Sequence, residues 1–397
     1  MKVAIVHYWL SGMRGGEFVL EQFSELFPNA DIFTHVLSPE KISDKLLRHK
    51  ISTSFIQKLP LAGRHYSKYL GFMPMALERF DLEGYDLVIS SESGPAKGII
   101  PPANAPHVCY CHSPMRYLWD RYGEYRQTLG PVGRTVFDVT AHRMRMWDVT
   151  SAARVDHFMA NSSFVQSRIQ KYYRRSAEVV HPPVALDRFV PATGPGEYYV
   201  FVSELVAYKR ADIAVRAFAN LDRKLLIVGD GPERGRLEAQ ATPNVEFLGR
   251  VSNQELSDIY RGARALVFPG LEDFGIVPLE AMASGRPVIA FGQGGARDTV
   301  VPGVTGMFFE TQTAEALTEA VRRFETEVEE TLDISQIVAH AQKFSPERFR
   351  HAFLTHLKRC EPELMGHYDI PVLKTGTVVG QPETATNILQ PPKSARA

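Results

Sequence analysis

Short apolar runs alternate with segments of helical periodicity along this chain, and they do so in two successive series. Uninterrupted apolar runs of this length are typical of parallel strands that crossover helices bury on both faces. The first series extends from KVAIVHYW to VDHFMANS and the second from YYVFVSEL to GMFFE, with the proline-bearing VVHPPV at 179–184 between them. The pattern therefore predicts an α/β protein with two doubly wound domains that face one another across a cleft.

The two series divide the chain into domains, and a further helical pattern follows the second series. Phe349, Phe353 and Leu357 share one stripe of that pattern, which predicts a C-terminal helix that packs back on the first domain. The remaining sequence is polar, bears prolines and shows little periodicity, so we expect a disordered tail. The predicted N-terminal domain is residues 1–180 and the predicted C-terminal domain is residues 181–344. The C-terminal helix is predicted at 345–365 and the tail at 366–397.

The composition excludes several classes of protein. Hydrophobic residues make up 44% of the 397, and 45 basic residues balance 45 acidic ones, which does not fit a dedicated nucleic-acid binder. No run approaches the roughly 18 apolar residues of a membrane-spanning helix. The opening MKVAIVHYWL is interrupted by His7, so we interpret it as a first strand rather than a signal peptide.

The metal-ligating residue types show no metal-binding pattern. Three cysteines are too few for a disulfide framework, which predicts a reduced, cytoplasmic protein. The sequence contains no CxxC, HExxH or Asp-x-Asp, so we expect no metal site.

Basic residues are concentrated in the first part of the chain. Residues 1–175 hold 22 Lys and Arg against 16 Asp and Glu, with 8 against 2 in 41–79 and 8 against 3 in 134–175. Such stretches are most often only solvated helix faces, and the alternative is attraction to an anionic membrane surface or a phosphorylated partner. Aromatic and aliphatic side chains interleave with Arg64 and Lys68, which suits contact with lipid headgroups and would equally suit a core.

Ligands of doubly wound sheets bind beyond the carboxyl ends of the strands, so the residues that follow strands are the candidate site residues. Gly15 and Gly16 follow the first strand, where glycines allow a ligand to approach the backbone and a helix N-terminus attracts anions. A tight turn that binds no ligand is the alternative for this segment.

A second candidate segment follows the apolar HVCYC run. His112 lies where that strand ends, and it either donates to a substrate hydroxyl or carbonyl or is a hydrogen-bonded structural histidine. Arg116, Asp120 and Arg121 come shortly afterwards, where they can pair with each other or with phosphate.

The strongest signal lies between the strand ARALVFPG and the helix LEAMASG. Glu272 lies in the connecting loop and Glu280 about one turn into the helix, with Gly275, Ile276 and Val277 between them. Amides at a helix N-terminus bind phosphate, and the helix dipole adds to that attraction. Two carboxylates that flank such amides suit a nucleotide sugar, because one carboxylate can accept from the sugar and the other from the ribose while the amides hold the diphosphate.

The E-x7-E element within LEDFGIVPLEAMASGRPVIA resembles the signature of retaining glycosyltransferases of family 4. LLIVGDGPERGRL, VEFLGRVSNQEL, GGARDTVVPGVTG and MRGGEFVLE support the resemblance, which covers nearly all of residues 1–360 in the family's order. In addition, ELVAYKRADIAVRAF and CHSPMRYLWDRY resemble bacterial mannosyltransferases of O-antigen and exopolysaccharide synthesis. The family implies the GT-B fold, two Rossmann-like doubly wound domains facing across a cleft, with retention of the donor's anomeric configuration and with no metal or other cofactor.

The resemblance also implies a role for each matching residue. Glu272 would hold the donor sugar near its 3-hydroxyl, Glu280 would hold the ribose, and His112 would lie near the sugar's 6-hydroxyl. Lys209 would neutralise the diphosphate, and the Gly15–Gly16 turn would approach the diphosphate and the acceptor.

One position departs from the family pattern. The family usually has an arginine where this chain has Glu204, and a carboxylate there would repel the diphosphate. We expect Glu204 to turn away or to pair with Arg210, and we expect Arg210, adjacent to Lys209, to restore the missing positive charge.

The resemblance predicts a hexosyltransferase that moves mannose from GDP-mannose onto a glycan or a polyprenyl-diphosphate-linked acceptor in cell-surface polysaccharide synthesis. The expected partners are the nucleotide-sugar donor and this acceptor, with no nucleic acid. The expected location is cytoplasmic, with peripheral contact at the anionic inner membrane face. The alternatives are another donor of the UDP-glucose type, a nucleotide-sugar epimerase, or a non-catalytic binder of the same fold.

Overall fold

The computed structural model describes residues 1–366 and Tyr368, and their strands form two separate, fully parallel sheets. The thirteen strands of this part of the chain, β1 to β13 in order, are Val3–His7, Asp31–Thr34, Ile51–Thr53, Leu87–Glu92, His107–Cys111, His157–Ala160, Glu178–Val179, Tyr198–Val202, Leu225–Val228, Val245–Gly249, Ala263–Phe268, Val288–Phe291 and Gly306–Phe309. The N-terminal sheet has the strand order β3-β2-β1-β4-β5-β6-β7, and the C-terminal sheet has the order β10-β9-β8-β11-β12-β13. This architecture confirms the predicted pair of Rossmann-like, doubly wound domains.

Helices connect the strands on both faces of each sheet. The α-helices of the described residues, α1 to α16 in chain order, are Gly15–Leu26, Asp44–Leu47, Ala62–His65, Met73–Glu78, Tyr122–Gln127, Pro131–Ser151, Ser163–Tyr173, Ala211–Phe218, Arg234–Glu238, Asn253–Gly262, Ile276–Ala283, Ala296–Thr299, Ala314–Arg323, Ile334–Ala341, Pro346–Cys360 and Pro362–Met365. No helix within residues 1–366 has the length and apolarity that a membrane crossing requires.

The central strands form because their residues are apolar on both faces. Every residue of β1 and of β5 is buried, as parallel strands covered by helices on both sides require. In each sheet the strand order reverses beside the first strand of the domain, between β1 and β4 and between β8 and β11. Such switch points leave a crevice outside the carboxyl ends of the strands, where ligands bind.

The sequence patterns did not predict the edge strands β3 and β7, and they predicted the start of helix α1 two residues too late. Strand β3 is only partly buried and β7 has two residues, so neither has the apolar run that marks the central strands. Helix α1 begins at Gly15, whereas its periodicity predicts a start near Glu17. The predicted tail at 366–397 lies outside the described residues except for Gly366 and Tyr368.

Helix α15 packs against the N-terminal sheet, although it follows the C-terminal domain in the chain. Phe349, Phe353 and Leu357 are buried in the same core cluster as Phe23 of α1, and the rings of Phe23 and Phe353 lie 4.8 Å apart. The Arg350 guanidinium donates to side chains of α1 as well. This packing ties the end of the second domain to the first.

Candidate active site

The loop after β1 meets the N-terminus of α11 across the two domains. A Cβ added at Gly15 would lie 2.7 Å from Cδ1 of Ile276, so the Ile276 side chain fills the space that a side chain at position 15 would need. A Cβ at Gly16 would lie 2.4 Å from the Tyr8 hydroxyl and 3.7 Å from Nε2 of His112. Four residues predicted from separate motifs, the two glycines, His112 and Ile276, therefore lie together.

Lys209 and Glu272 form an ion pair at the carboxyl ends of two neighbouring strands. Lys209 ends the short 3₁₀ turn Ala207–Lys209 after β8, and Glu272 lies in the loop between β11 and α11. The Lys209 ammonium donates to Oε1 of Glu272, and each side chain is about one-fifth exposed. Because β8 and β11 are hydrogen-bonded neighbours, the sheet itself brings these two predicted residues together.

Glu280 lies at the middle of α11 and is almost fully buried. Burial raises the pKa of this carboxyl, and the charge of Arg188 and the hydrogen bonds from Arg188 and Tyr260 oppose the rise. Arg188 donates to Oε1, and the Tyr260 hydroxyl donates to Oε2 at 3.3 Å. The sequence did not point to Arg188 or Tyr260, because neither lies near a recognisable motif.

The loop between Glu272 and α11 is held in place by a close backbone contact. Gly294 has φ +68°, and a Cβ there would lie 2.5 Å from the carbonyl oxygen of Glu272. Only glycine combines this φ with this approach, which accounts for a glycine pair in the GGARD segment. The loop leads to Gly275, Ile276 and Val277, the start of α11, where the first helical amides have no partner within their own helix.

The half-buried His112 ends a chain of hydrogen-bonded polar groups whose other members the sequence did not predict. Its Nε2 lies 2.9 Å from Oγ of Ser91, and Nδ1 of His7 lies 3.0 Å from the same oxygen. Oε1 of Glu17 lies 3.7 Å from Nε2 of His7. Burial, with a smaller effect of His7, lowers the pKa of His112 to about 3, so the ring is neutral at physiological pH. It can orient a hydroxyl, but it brings no positive charge to the site.

Arg210 contacts residues other than Glu204. Its guanidinium donates to both carboxylate oxygens of Asp212, at 2.9 and 3.2 Å, and to the Gln312 side chain at 3.1 Å. Glu204 is exposed, and within residues 1–366 it has no ion pair with Arg210. The expected Glu204–Arg210 pairing is therefore wrong. The other expectation, that Glu204 turns away, agrees with its exposure.

Arginines of the first domain hold the Glu272 loop of the second. Arg168 donates to Oδ1 of Asp273 at 2.7 Å, and Arg116 lies 3.2 Å from Oδ2 of the same carboxylate. At the edge of this contact the hydroxyl of Ser163 donates to Asp298 at 2.9 Å. The two domains are therefore in direct contact beside the Lys209–Glu272 pair, and Arg168 is a further residue that no motif marked.

Within residues 1–366, no three His, Cys, Asp or Glu side chains converge as a metal site requires. The polar groups in the cleft are instead arranged as a lysine, two carboxylates, a neutral histidine and helix amides. Donors of this kind bind a diphosphate, and carboxylates of this kind bind sugar hydroxyls.

Two Rossmann-like domains whose strand ends meet at one cleft define the GT-B class of proteins. Two family models match this chain in sequence, Glycosyltransferase Family 4 over residues 13–188 and Glycosyl transferases group 1 over residues 186–339. The two matched regions correspond to the two Rossmann-like domains of this chain, which has the GT-B fold.

Curated relatives match this chain over part of their length. A D-inositol 3-phosphate glycosyltransferase of Streptomyces avermitilis is 30% identical over 207 residues, which are 43% of this chain and 45% of that protein. An uncharacterized glycosyltransferase of Methanocaldococcus jannaschii is 28% identical over 171 residues, 42% of this chain and 48% of that protein. The matches thus span less than half the length of these relatives.

Solved structures match the fold along nearly the whole chain. The lipopolysaccharide outer core galactosyltransferase WaaB has a TM-score of 0.64 at 19% identity, covering 90% of this chain and all of its own. The sucrose-phosphate synthase of Thermosynechococcus elongatus has a TM-score of 0.66 at 19% identity, covering 90% of this chain and 98% of its own. Anabaena HepE in complex with UDP and glucose has a TM-score of 0.64 at 17% identity, covering 89% of this chain and 99% of its own.

Proposed function

We propose that this protein is a retaining glycosyltransferase that moves mannose from GDP-mannose onto a glycan or a polyprenyl-diphosphate-linked acceptor, without a metal ion. The observation that supports this proposal most strongly is the Lys209–Glu272 ion pair. It lies beside the N-terminus of α11 at the contact between the two Rossmann-like domains. A cation for diphosphate and a carboxylate for sugar hydroxyls are adjacent there, as a nucleotide sugar requires. The choice of mannose rests on the resemblance of ELVAYKRADIAVRAF and CHSPMRYLWDRY to mannosyltransferases.

Donor binding exchanges partners within the site. Lys209 leaves Glu272 for the donor's diphosphate, and Glu272 then accepts hydrogen bonds from the sugar. Glu280 accepts from the ribose hydroxyls in place of Arg188, and the amides at the start of α11 meet the diphosphate. Each carboxylate has a partner in both states, so neither is left buried without one.

The transfer step needs no nucleophile of the enzyme. The bond between the anomeric carbon and the leaving diphosphate breaks, and the acceptor oxygen bonds to the same face of that carbon. The leaving phosphate oxygen takes the acceptor's proton, so the configuration is retained and the proton is accounted for. Lys209 and the α11 amides stabilise the charge on the leaving group, and His112 orients the sugar as a neutral hydrogen-bonding group.

A donor of the UDP-glucose type is the second candidate. One solved neighbour, Anabaena HepE, is described in complex with UDP-glucose, at 18% identity. Base recognition in such folds often uses backbone groups, so the choice between guanine and uracil is left to experiment.

A donor panel separates the candidates. The protein is incubated with GDP-mannose, GDP-fucose or UDP-glucose and a polyprenyl-diphosphate-linked or soluble glycan acceptor, with EDTA present. We expect mass spectrometry to show one added hexose from GDP-mannose, and NMR to show the donor's anomeric configuration in the product. Transfer from UDP-glucose alone would favour the second candidate. Binding without transfer, an epimerised donor or a strict need for added metal would contradict the proposal.

We also propose that the first domain docks on an anionic membrane, where a polyprenyl-linked acceptor would lie. Val132, Val136, Val139 and Met146 form one stripe along α6, each half or more exposed, with the exposed Arg143 within it. The segment 61–79 packs beside this helix and adds the exposed side chains of Leu61, Phe72, Met75, Arg64, Lys68 and Arg79. Apolar side chains interleaved with cations are the pattern of a surface that enters the headgroup region of anionic lipid.

Charging the stripe tests this surface. We expect Val136→Glu combined with Met146→Glu to weaken binding to phosphatidylglycerol-containing vesicles about 10-fold or more, because both apolar burial and charge attraction are lost. Co-sedimentation measures the bound fraction, and Val301→Glu, an exposed valine of the second domain, is the control. Equal binding to neutral and anionic vesicles, or an unchanged double variant, would contradict membrane docking.

A further inference from the structure

The leaving group in the proposed reaction carries more negative charge than the cationic side chains of the second domain can neutralise. A nucleoside diphosphate carries at least two charges, and Lys209 contributes one cation. Arg210 is occupied by Asp212 and Gln312, and position 204 is an exposed glutamate. The α11 amides add partial positive charge, and a second full cation would have to come from elsewhere in the cleft.

Two arginines of the first domain reach this part of the cleft. Arg116 and Arg121 donate to the same carbonyl oxygen, that of Leu271, at 3.4 and 3.2 Å. Leu271 immediately precedes Glu272 in the sequence. Both guanidinium groups also lie over the ring of Tyr208, with their central carbons 5.7 and 4.4 Å from its centre.

Tyr208 links these arginines to Lys209. The Lys209 ammonium lies 5.4 Å from the centre of the same ring, so three cations from two domains surround one aromatic side chain. The aromatic face attracts cations and holds a planar guanidinium in a fixed orientation. Arg116 and Arg121 are thereby held near the lysine that is proposed to meet the diphosphate.

The charge of Arg121 is neutralised less by neighbouring carboxylates than the charge of Arg116. Arg116 faces Asp273 at 3.2 Å and Asp120 at 3.9 Å. The carboxylate beside Arg121 is Glu124 at 3.1 Å, whose side chain is 61% exposed, and water screens such a charge strongly. The Arg121 side chain itself is only 8% exposed, and its Nε, like that of Arg116, is buried with no hydrogen-bond partner among the described residues.

We propose that Arg121, supported by Arg116, binds the donor's diphosphate across the cleft and takes over the charge of the arginine that Glu204 replaces. The inference rests on the proposed function, since it needs a nucleoside diphosphate donor. A guanidinium forms paired hydrogen bonds with phosphate, which makes arginine well suited to this position. Lys209 and Arg121 belong to different domains, so the diphosphate can bind both only when the domains are in contact. The charge of the diphosphate is therefore fully stabilised only when the same contact excludes water from the site.

Nucleotide titration tests the assignment without the transfer reaction. The dissociation constants of GDP, UDP, GMP and UMP are measured by calorimetry for the full chain and for Arg121→Gln, Arg121→Lys and Arg210→Gln. We expect Arg121→Gln to weaken the preferred diphosphate about 10-fold or more while its monophosphate changes less than about threefold, since hydrogen bonds to charged groups are the strong ones. Arg121→Lys should recover part of the loss, and Arg210→Gln should change diphosphate binding by less than about threefold.

The matched control is Arg126→Gln, on helix α5 directly after Arg121, because the Arg126 guanidinium pairs with Asp138 and does not face the cleft. Equal loss of monophosphate and diphosphate binding in Arg121→Gln would assign Arg121 a merely structural role and overturn the proposal, as would unchanged binding. A selective diphosphate loss in Arg210→Gln alone would restore the role first predicted for that residue. If the unaltered protein binds none of the four nucleotides, the proposed function itself fails.

Discussion

Replacing Lys209 by methionine is expected to lower kcat for glycosyl transfer by about 10²–10³-fold. A single donor that stabilises developing negative charge is commonly worth about 3–4 kcal/mol in the transition state, and Lys209 is the side-chain cation that the second domain offers the diphosphate. The substitution also leaves Glu272 without its partner. Initial rates with saturating donor and acceptor measure the change in kcat.

Two further variants keep this expectation testable. Lys224→Met removes an exposed lysine of the same domain that pairs with Glu246, and it should leave transfer unchanged. Lys209→Arg keeps the charge, so it should recover part of the rate that Lys209→Met loses. If Lys209→Met transfers at the unaltered rate while remaining folded, the diphosphate does not lie beside this lysine and the proposed site is wrong.

The fold was predictable from the sequence wherever burial is complete on both faces of a strand. Strands such as β1, β5 and β11 have largely apolar sequences because helices cover both of their faces. Strands β3 and β7 are at the edges of the N-terminal sheet, where one neighbour suffices and polar residues are tolerated. Their sequences therefore lack the signal that marks the central strands.

The candidate site was predictable where its residues are close together in the chain. The spacing of Glu272 and Glu280 is set by one loop and one helix turn, so it can be recognised in a single sequence. Arg188 is 92 positions from Glu280, and Arg121 is 150 positions from Leu271. The first contact depends on packing within the second domain and the other on packing between the two domains, and no local sequence pattern records either. For the same reason, the sequence did not predict that Arg210, adjacent to Lys209, contacts Asp212 and Gln312.

A buried charge network below the cleft positions the segment that carries His112. Lys97 donates to Glu92 at 3.2 Å and to Asp148, and all three side chains are fully buried. Burial alone would lower the pKa of Lys97, but the charges of Asp148 and Glu92 raise it above its usual value, so the ammonium stays charged. The carbonyl of Glu92 accepts from the His112 amide at 2.8 Å, and Asp148 accepts from the Trp119 indole at 2.7 Å.

Replacing Asp148 by alanine is expected to lower the free energy of unfolding of the first domain by about 3–5 kcal/mol. The buried Lys97 ammonium keeps Glu92 but loses its second carboxylate, and each buried donor that is left without its acceptor costs about 1–3 kcal/mol. The hydrogen bonds from Trp119 and from the Tyr173 hydroxyl, which lies 3.1 Å from Oδ2, are lost as well. For a domain of this size the melting temperature should fall on the order of 10 °C, which calorimetry or circular dichroism would measure.

Asp138→Ala is the matched control, since Asp138 lies on the same helix α6 but pairs with Arg126 at a solvent-accessible position. Its melting temperature should stay much closer to that of the unaltered protein. A triple variant with Glu92→Gln, Lys97→Met and Asp148→Asn removes every charge at once, so it should be more stable than Asp148→Ala despite its three changes. If Asp148→Ala melted together with Asp138→Ala, the buried charges would not depend on one another. In that case the segment from His112 to Trp119 would be held by its apolar packing rather than by this network.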